Sequence, residues 1–295
     1  MHANPRAKIN LTLSVGSRGP DGYHSIESLI LRVGLSDELV VAFAESGADA
    51  LAVTGLPGCP VDGNLVLRAF GAVRRRLGHE MAPLVAHLEK RIPMAAGLGG
   101  GSADAAAAIQ AAEVMWGVGL SPQVRAEIEL ELGADVPFFA RGGDAARVSG
   151  RGENVERLFA PASDFGVLLV TPPFGLNTAQ VFARFDELDA TKRPASVELA
   201  EALANPAALR EANDLWPAAA SLEPRLAQVR GELEHLTGDP WMMSGSGSTL
   251  FALYASPAEA AEAGKRLVSA ESELLGGAII NAVDRTGPEP LWRYS

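Results

Sequence analysis

The sequence predicts an α+β protein of two domains. Its 295 residues are enough for one large domain or two of ordinary size, and 47% of them are hydrophobic, which suffices for a real core. Strand and helix patterns alternate through the second half, which predicts a sandwich of antiparallel sheet and helices. We place the domain boundary at Ala160-Pro161-Ala162-Ser163, which divides the chain into residues 1–160 and 161–295.

Composition excludes several classes of function. The formal net charge of −11 argues against a surface for nucleic acid or an anionic membrane, although a small anion can still bind in a local pocket. The start of the chain has no apolar signal segment, and no stretch approaches 18 uninterrupted apolar residues, so we expect a cytoplasmic protein without a membrane partner. The single cysteine, Cys59, and five scattered histidines predict neither an internal disulfide nor a zinc site.

The first half opens with a predicted β-hairpin. Residues 7–15 alternate apolar and polar side chains, which places Lys8 and Asn10 on one face of a strand. Turn residues at 18–22 separate this strand from a second apolar run that begins at Tyr23-His24 and reaches Val33. The spacing alone leaves open whether Lys8 is solvated or lines a site.

A glycine-rich loop is the strongest local signal in the chain. It follows strands predicted at 39–43 and 51–54, a helix at 65–77 and a strand at 84–92. Gly97 to Gly101 contain four glycines, and the helix-forming run from Ser102 to Glu113 predicts a helix that begins where the glycines end and stops at Gly117. Backbone N–H groups at such a junction can bind phosphate, whereas the alternative is an alanine-rich core helix entered through a flexible turn.

Two named glycine motifs do not account for this loop. A P-loop requires Lys-Ser or Lys-Thr after its last glycine, but Gly101 is followed by Ser102-Ala103. The dinucleotide fingerprint, started at Gly97, would place Ser102 at its third glycine, so an oxidoreductase of the Rossmann type is only weakly supported.

An aspartate among apolar residues is the second candidate for chemistry. A helix predicted from Ser121-Pro122 ends at Gly133, and Asp135 follows, next to Val136-Pro137. A carboxylate with such neighbours is unusual for a solvated position. It either serves a site or accepts local backbone hydrogen bonds in a turn.

The rest of the chain alternates loops, strands and helices. Residues 141–152 are loop-rich, and strands are predicted at 166–171, 250–255 and 277–283. Helical segments are predicted at 178–188, 197–203, 222–236 and 257–270. A second glycine-rich turn lies between Met243 and Ser248.

Four separated motifs together resemble the GHMP kinases, a family of small-molecule kinases without a P-loop. They are Ala7-Lys8-Ile9-Asn10-Leu11, the loop from Pro93 to Ser102, Gly133-Ala134-Asp135-Val136-Pro137, and Met243-Ser244-Gly245-Ser246-Gly247. Asn213-Asp214-Leu215 adds a fifth point of similarity. The first motif, with Asp21-Gly22-Tyr23-His24, is similar to the branch of the family that acts on a polyol linked to cytidine diphosphate.

The resemblance implies a fold and a reaction. The fold would be an N-terminal ribosomal-S5-like β-α-β domain that carries the ATP-phosphate loop and a C-terminal ferredoxin-like α/β sandwich, with the active site between them. The reaction would be phosphoryl transfer from ATP, with Mg²⁺, to an alcohol of a small molecule. A monomer or a homodimer is expected.

The resemblance also implies roles for individual residues. Lys8 and Asp135 match the catalytic pair. The ATP site would comprise Pro93, Ala95, Ala96, Gly97, Leu98, Gly99, Gly100, Gly101 and Ser102, with Asn64 near the adenine and Ser102 as a possible metal ligand. The substrate site would comprise Asn10, Tyr23, His24, Thr178 and Phe182, with Tyr23 stacking on the base.

The sequence departs from the family pattern at three places. Ala95-Ala96 stand where glycines are common, Arg6 where a small residue is usual, and Trp216 where an acid is frequent.

Three alternative functions stay open at this point. They are a GHMP kinase for homoserine or mevalonate, a non-catalytic nucleotide-binding protein on the same fold, and a Rossmann oxidoreductase. Retention of both Lys8 and Asp135 argues against the non-catalytic protein.

Overall fold

The computed structural model describes residues 1–20, 22–78, 80–159, 165–188, 197–270 and 272–284. These residues form three four-stranded sheets with helices packed against them. In chain order the elements are β1 (His2–Ala3), β2 (Arg6–Arg18), β3 (His24–Ser36), β4 (Glu38–Phe43), β5 (Ala50–Gly55), α1 (Leu65–Leu77), β6 (Leu84–Lys90), α2 (Gly100–Trp116), α3 (Pro122–Leu132), α4 (Val136–Arg141), β7 (Ala145–Gly150), β8 (Asn154–Leu158), β9 (Gly166–Thr171), α5 (Thr178–Glu187), α6 (Leu199–Ala204), α7 (Trp216–Leu222), α8 (Pro224–Thr237), β10 (Met242–Met243), β11 (Leu250–Tyr254), α9 (Pro257–Ser269) and β12 (Ile279–Asp284). The predicted domain boundary at Ala160–Ser163 lies outside the described residues.

The first sheet has the order β1-β4-β6-β5 and supports the helices that frame the glycine loop. Its strands are antiparallel except for the parallel pair β5 and β6. Helix α1 begins at the side-chain cap of Asn64, which accepts a hydrogen bond from the Val66 N–H, and ends at Gly78 in the left-handed conformation. The prediction of this helix is confirmed at both ends.

The second sheet, β2-β3-β7-β8, is built on the long hairpin that the sequence predicts. Lys8 on β2 lies opposite Arg32 on β3. The expectation that residues 141–152 are mostly loop is wrong for β7. The glycines around this strand favour a loop, but Ala145, Ala146 and Val148 are buried within the strand. Strand β8 then extends the same sheet.

The third sheet, β10-β11-β9-β12, is antiparallel and forms the C-terminal α/β sandwich with the helices of the second half. Leu168 and Val170 of β9 share one apolar core with Leu226 and Val229 of α8 and with Leu267 of α9. The two-domain α+β prediction is therefore confirmed in its layers.

A continuous apolar core joins the two halves. Ile9 and Leu31 of the hairpin sheet pack in one cluster with Leu169 and Phe251 of the third sheet. The backbone adds to this contact, because the Leu13 N–H donates to the Ala212 oxygen at 2.8 Å. The cleft between the halves is thus held by packed strands on both sides.

Three helical segments differ from the sequence prediction. Helix α2 begins at Gly100, inside the glycine run, because Gly99 adopts the left-handed conformation at the N-cap position and its oxygen accepts the Ala103 N–H. Helices α4 and α7 are not among the helical segments predicted from the sequence, and in each of them a proline, Pro137 or Pro217, occupies the first turn, where proline is tolerated. Within the described ranges, no helix is long and apolar enough to span a membrane.

Candidate active site

A cleft of about 840 Å³ lies at the junction of the hairpin sheet, the glycine loop and helix α5. This volume is within the usual range for small-molecule sites. The predicted site residues that line it are Lys8, Asn10, Tyr23, His24, Pro93, Ala95, Ala96, Gly97, Leu98, Gly99, Gly100, Gly101, Ser102, Asp135, Thr178 and Phe182. The structure therefore gathers residues far apart in the sequence around one cavity.

The glycine loop is clamped against the second glycine-rich turn. At Gly97 the backbone has φ +76°, and a Cβ there would lie 2.1 Å from the Ser244 oxygen. The Ser244 hydroxyl donates to the Gly97 oxygen at 2.8 Å. Only glycine fits this contact, which fixes the loop to the C-terminal half.

Glycines at the start of α2 permit close packing below the loop. A Cβ at Gly99 would lie 2.9 Å from the Phe139 ring, and one at Gly100 would lie 2.9 Å from Ile92. The first N–H groups of a helix have no partner within the helix, and the dipole makes that end positive. The start of α2 therefore offers donors and positive potential to the cleft.

Ala95 and Ala96, which stand where the resemblance implies glycines, differ in backbone conformation and in burial. Ala95 has φ +50°, which is an unfavourable conformation for a residue with a Cβ. Ala96 is buried at 2% exposure in the core that joins the halves. Strain is thus expected at position 95 and not at position 96.

Lys8 and Asp135 meet beside the loop. The Lys8 ammonium nitrogen lies 3.6 Å from Asp135 Oδ2, and the amine is buried whereas the carboxylate is about one third exposed. The Lys8 backbone N–H donates to the Leu98 oxygen at 3.0 Å, which ties this strand to the loop. Asp135 occupies the tight turn between α3 and α4. The arrangement places an acid, an amine and a phosphate-binding loop at one point.

Asn10 orients the amine. Its Oδ1 accepts from Lys8 Nζ at 2.5 Å, and its Nδ2 donates to the Ser28 hydroxyl at 2.8 Å. The side chain is buried at 4% exposure. Since both ends of the amide are engaged within the protein, its geometry explains how Lys8 is held, while a contact with substrate stays a prediction.

Aromatic side chains form the far end of the cleft. Tyr23 is 57% exposed, and the guanidinium of Arg151 lies 3.8 Å from its ring centre. The rings of His24 and Phe182 are 5.4 Å apart. These surfaces suit a flat aromatic ligand. Asp21, which belongs to the same sequence motif, lies outside the described residues.

His24 is fixed between acceptors on both ring nitrogens. Its Nδ1 lies 2.9 Å from the Gly16 oxygen, and its Nε2 lies 3.1 Å from Asp186 Oδ1. A carbonyl and a carboxylate both accept hydrogen bonds, so both contacts are satisfied together only when each ring nitrogen carries a proton. No local pattern predicted Asp186 as a partner of His24, because Asp186 lies on α5 in the other half.

Of the remaining predicted residues, Thr178 lines the cleft and Asn64 does not. Thr178 hydrogen-bonds to Ser246 at 2.8 Å, and Ser246 also lines the cleft. Asn64 caps α1 and donates from Nδ2 to the Pro60 oxygen at 3.0 Å. Its neighbour Leu65 lines the cleft, and a contact between Asn64 and adenine stays a prediction.

Sequence reasoning missed a buried charge cluster beneath the loop. Lys90, at the end of β6, pairs with Asp37 and with Asp104, the latter at 2.8 Å. Asp37 also accepts from the Ile92 N–H at 2.8 Å, which anchors the entrance to the loop. The sequence does hold a signal for the Lys90–Asp104 pair, because two residues of opposite charge flank the loop. Lys90 stands three residues before Pro93, and Asp104 stands two residues after Ser102.

The pKa values in this cluster are shifted. Burial raises the pKa of Asp104 to about 7, although Lys90 opposes this, and one carboxylate oxygen of Asp104 has no partner among the described residues. Burial alone would lower the pKa of Lys90, but the two carboxylates outweigh it and raise that pKa.

Donors for a metal ion are few around the loop. Among the described residues, no group of three or more His, Cys, Asp or Glu side chains could hold a metal. The Ser102 hydroxyl lies 3.6 Å from the position that a Cβ at Gly133 would occupy, and Gly133 stands two residues before Asp135. Such a site fits an ion that keeps several waters and is held mainly by substrate phosphates.

Two departures from the family pattern have structural partners. Arg6 forms an ion pair with Asp144 at 2.5 Å. Trp216 is buried, and the guanidinium of Arg230 lies 3.5 Å from its ring centre. Both substitutions are accommodated outside the catalytic pair.

Comparison with known families gives two matches. The GHMP kinases N terminal domain matches residues 64–143, and the GHMP kinases C terminal domain matches residues 189–272. Each match falls within one of the two domains predicted from the sequence, and the exact boundary between them stays a prediction.

Two similar curated proteins carry the same name. The 4-diphosphocytidyl-2-C-methyl-D-erythritol kinase of Pelotomaculum thermopropionicum is 39% identical over 276 residues, which covers 92% of this chain and 94% of that protein. The protein of the same name from Cereibacter sphaeroides is 41% identical over 273 residues, covering 90% and 93%.

Solved structures agree with this similarity. A crystal structure of 4-(cytidine 5'-diphospho)-2C-methyl-D-erythritol kinase matches with a TM-score of 0.76 and 32% identity, over 96% of this chain and 99% of that one. A homoserine kinase from Cytophaga hutchinsonii has a TM-score of 0.64 at 19% identity, over 98% and 96% of the chains, and shows the shared fold alone. Because a relative is 39% identical over 92% of this chain and both family domains match, the chain belongs to the GHMP kinase family.

Proposed function

We propose that this protein is an ATP-dependent kinase that phosphorylates the 2-hydroxyl of 4-diphosphocytidyl-2-C-methyl-D-erythritol, a step of the non-mevalonate route to isoprenoid precursors. Relatives that carry this name are 37–41% identical over about 90% of the chain. The observation that supports the proposal best is the single cleft in which the glycine loop, the Lys8–Asp135 pair and an aromatic end lie together.

The proposed binding mode follows the length of this cleft. The ATP phosphates would lie on the backbone N–H groups of Gly97 to Gly101 and the first turn of α2. The cytidine would lie between the surfaces of Tyr23, His24 and Phe182. The polyol would then reach Asp135, so that its hydroxyl faces the terminal phosphate. This order is supported by the presence of the loop and the aromatic side chains among the walls of one cavity.

The proposed mechanism assigns one role to each member of the pair. Asp135 would orient the tertiary hydroxyl and accept its proton as the oxygen attacks the γ-phosphorus. Lys8, held by Asn10, would offset the negative charge that spreads over the transferring phosphoryl group. Phosphoryl transfer asks the protein mainly for such positioning and charge stabilisation.

Magnesium would accompany the nucleotide. When bound, Mg²⁺ would supply positive charge that offsets the negative charge of the nucleotide phosphates. The Ser102 hydroxyl is the protein group that we assign beside it, because it stands in the first turn of α2 and lines the cleft. The predictions of a cytoplasmic location and of a monomer or homodimer are retained as part of this proposal.

A coupled assay for ADP release tests the function. The protein is incubated with MgATP and, in separate reactions, with 4-diphosphocytidyl-2-C-methyl-D-erythritol, homoserine or mevalonate. We expect ADP release that depends on the cytidyl substrate and is absent with the other two. A preference for homoserine or mevalonate would contradict the proposed substrate, and absence of turnover with all three would contradict the proposed kinase activity.

A further inference from the structure

A second, much smaller cavity lies apart from the main cleft and is walled by arginines. Its volume is about 30 Å³. The polar residues that line it are Arg6, Arg32, Gln110 and Arg125. The remaining walls are apolar and include alanines of α2 and Phe139 of α4. A space of this size holds one or two waters or one monatomic ion.

Arg32 is the unusual member of this wall. It is only 7% exposed, and it forms no ion pair with any described residue. One guanidinium N–H donates to the Phe139 oxygen at 3.0 Å, but the buried Nε has no hydrogen-bond partner within the described ranges. A buried charge without a partner of opposite sign is costly, so a missing counter-charge is expected beside it.

The other charges at the cavity do not supply that counter-charge. Arg6 is paired with Asp144, and Arg125 is paired with Glu113. Each of these two ion pairs has no net charge, so the positive charge of Arg32 is the one at the cavity that no described residue neutralises. Arg157, on the neighbouring strand β8, is a further cation near it.

The electrostatic environment of Arg32 agrees with this count. Burial, with smaller contributions from Arg6 and Arg157, lowers its pKa to about 10, and among the charges that act on it only Asp144 opposes this shift. The rings of Phe138 and Phe139 lie 5.5 and 5.8 Å from the guanidinium and stabilise the cation in part.

From this arrangement we propose that the cavity binds one small monovalent anion of the size of chloride, held by Arg32 with Gln110 as a second donor. The anion would neutralise the one uncompensated charge and accept the orphaned N–H. Because Arg32 lies opposite Lys8 in the hairpin, the anion would stabilise the strand pair behind the catalytic amine. Arg6, which departs from the family pattern, also lines this cavity. This proposal does not depend on the substrate of the kinase.

Bromide crystallography tests the occupant directly. Crystals of the unaltered chain are soaked in sodium bromide, and anomalous scattering is measured. The expected result is an anomalous peak in the cavity within contact distance of Arg32 Nε and the Gln110 amide. Density for water alone, with no anomalous signal there, would overturn the proposal.

Thermal unfolding tests it in solution. At equal ionic strength, where screening of surface charges is the same, the unaltered chain should melt about 2 °C or more higher in chloride than in gluconate. Arg32→Gln should lose this difference, whereas the control Arg157→Gln, which removes an exposed arginine nearby, should keep it. An equal chloride effect in Arg32→Gln, or none in the unaltered chain, would contradict the site. If Arg32→Gln does not fold, the bromide experiment decides.

Discussion

At the scale of single residues, the chemistry depends on the carboxylate of Asp135. It lies 3.6 Å from the Lys8 amine and is exposed enough to meet a substrate. Asp135→Asn preserves the size of the side chain but cannot accept the proton of the attacking hydroxyl. We expect kcat to fall by about 10²–10⁴-fold, with little change in nucleotide affinity and in melting temperature. Steady-state kinetics and nucleotide titration measure this, and unchanged turnover would remove the role assigned to Asp135.

Ala95 provides a test of backbone strain. Its φ of +50° is unfavourable for alanine, whereas glycine adopts this conformation readily. Ala95→Gly should raise the free energy of unfolding by up to about 1 kcal/mol, after allowance for the greater freedom of glycine in the unfolded chain. Ala96→Gly is the matched control and should be destabilising, because it deletes a buried methyl group without relieving strain. Urea denaturation of both variants measures the difference, and the reverse order would contradict the strain.

At the scale of elements, the glycine loop and the second glycine-rich turn act as one unit. Gly97→Ala would drive a methyl group into the Ser244 oxygen, so we expect a loss of about 2 kcal/mol or more in the free energy of unfolding. Gly101→Ala is the control, because it lies in the first turn of α2 and its Cβ would only contact Leu65 at 3.5 Å. This control should be as stable as the unaltered protein, and a raised KM for ATP would show that phosphate approaches its backbone. Equal stability of both variants would contradict the clamp.

The charge cluster beneath the loop predicts a dependence on pH. The pKa of Asp104 is raised to about 7, so between the ordinary value of 3.8 and about 7 the native state keeps a proton that the unfolded chain has lost. This stabilisation is complete below pH 3.8 and is lost as pH rises toward 7, with a slope of at most about 1.4 kcal/mol per pH unit.

Asp104→Asn should remove that dependence. Its stability relative to the unaltered protein should rise from pH 4 to pH 7 and then level off. Asp62→Asn, which removes a carboxylate from an exposed turn, controls for the change in net charge. Chemical denaturation across this pH range measures the three proteins, and parallel curves for Asp104→Asn and the unaltered chain would contradict the shifted pKa.

Local patterns predicted the elements well where periodicity and caps coincide. Helix α1 has both of its ends at the predicted residues, because Asn64 and Gly78 are strong signals. Strand β7 was missed, since a short strand between glycines carries little periodicity, and α4 was missed because proline can occupy a first turn. Long-range partners such as Asp186 and Asp37 had no local signal, because they meet His24 and Lys90 only through the tertiary fold.

At the scale of the whole molecule, the site exists only because the two halves pack together. The hairpin brings Lys8 and the aromatic end, the first sheet brings the loop, and the second half brings Phe182 and Ser246. The apolar cluster between the hairpin sheet and the third sheet fixes their separation. Function thus depends on the joint core as much as on the loop.

The identity of the phosphorylated product tests the central claim most directly. The protein is incubated with MgATP and 4-diphosphocytidyl-2-C-methyl-D-erythritol, and the reaction is followed by ³¹P NMR. We predict one new ³¹P resonance, from a phosphomonoester at the 2-hydroxyl. This product should form in an amount equal to that of ADP, while the diphosphate of the substrate stays intact. ATP cleaved only to free phosphate, or no new phosphomonoester at all, would contradict the account.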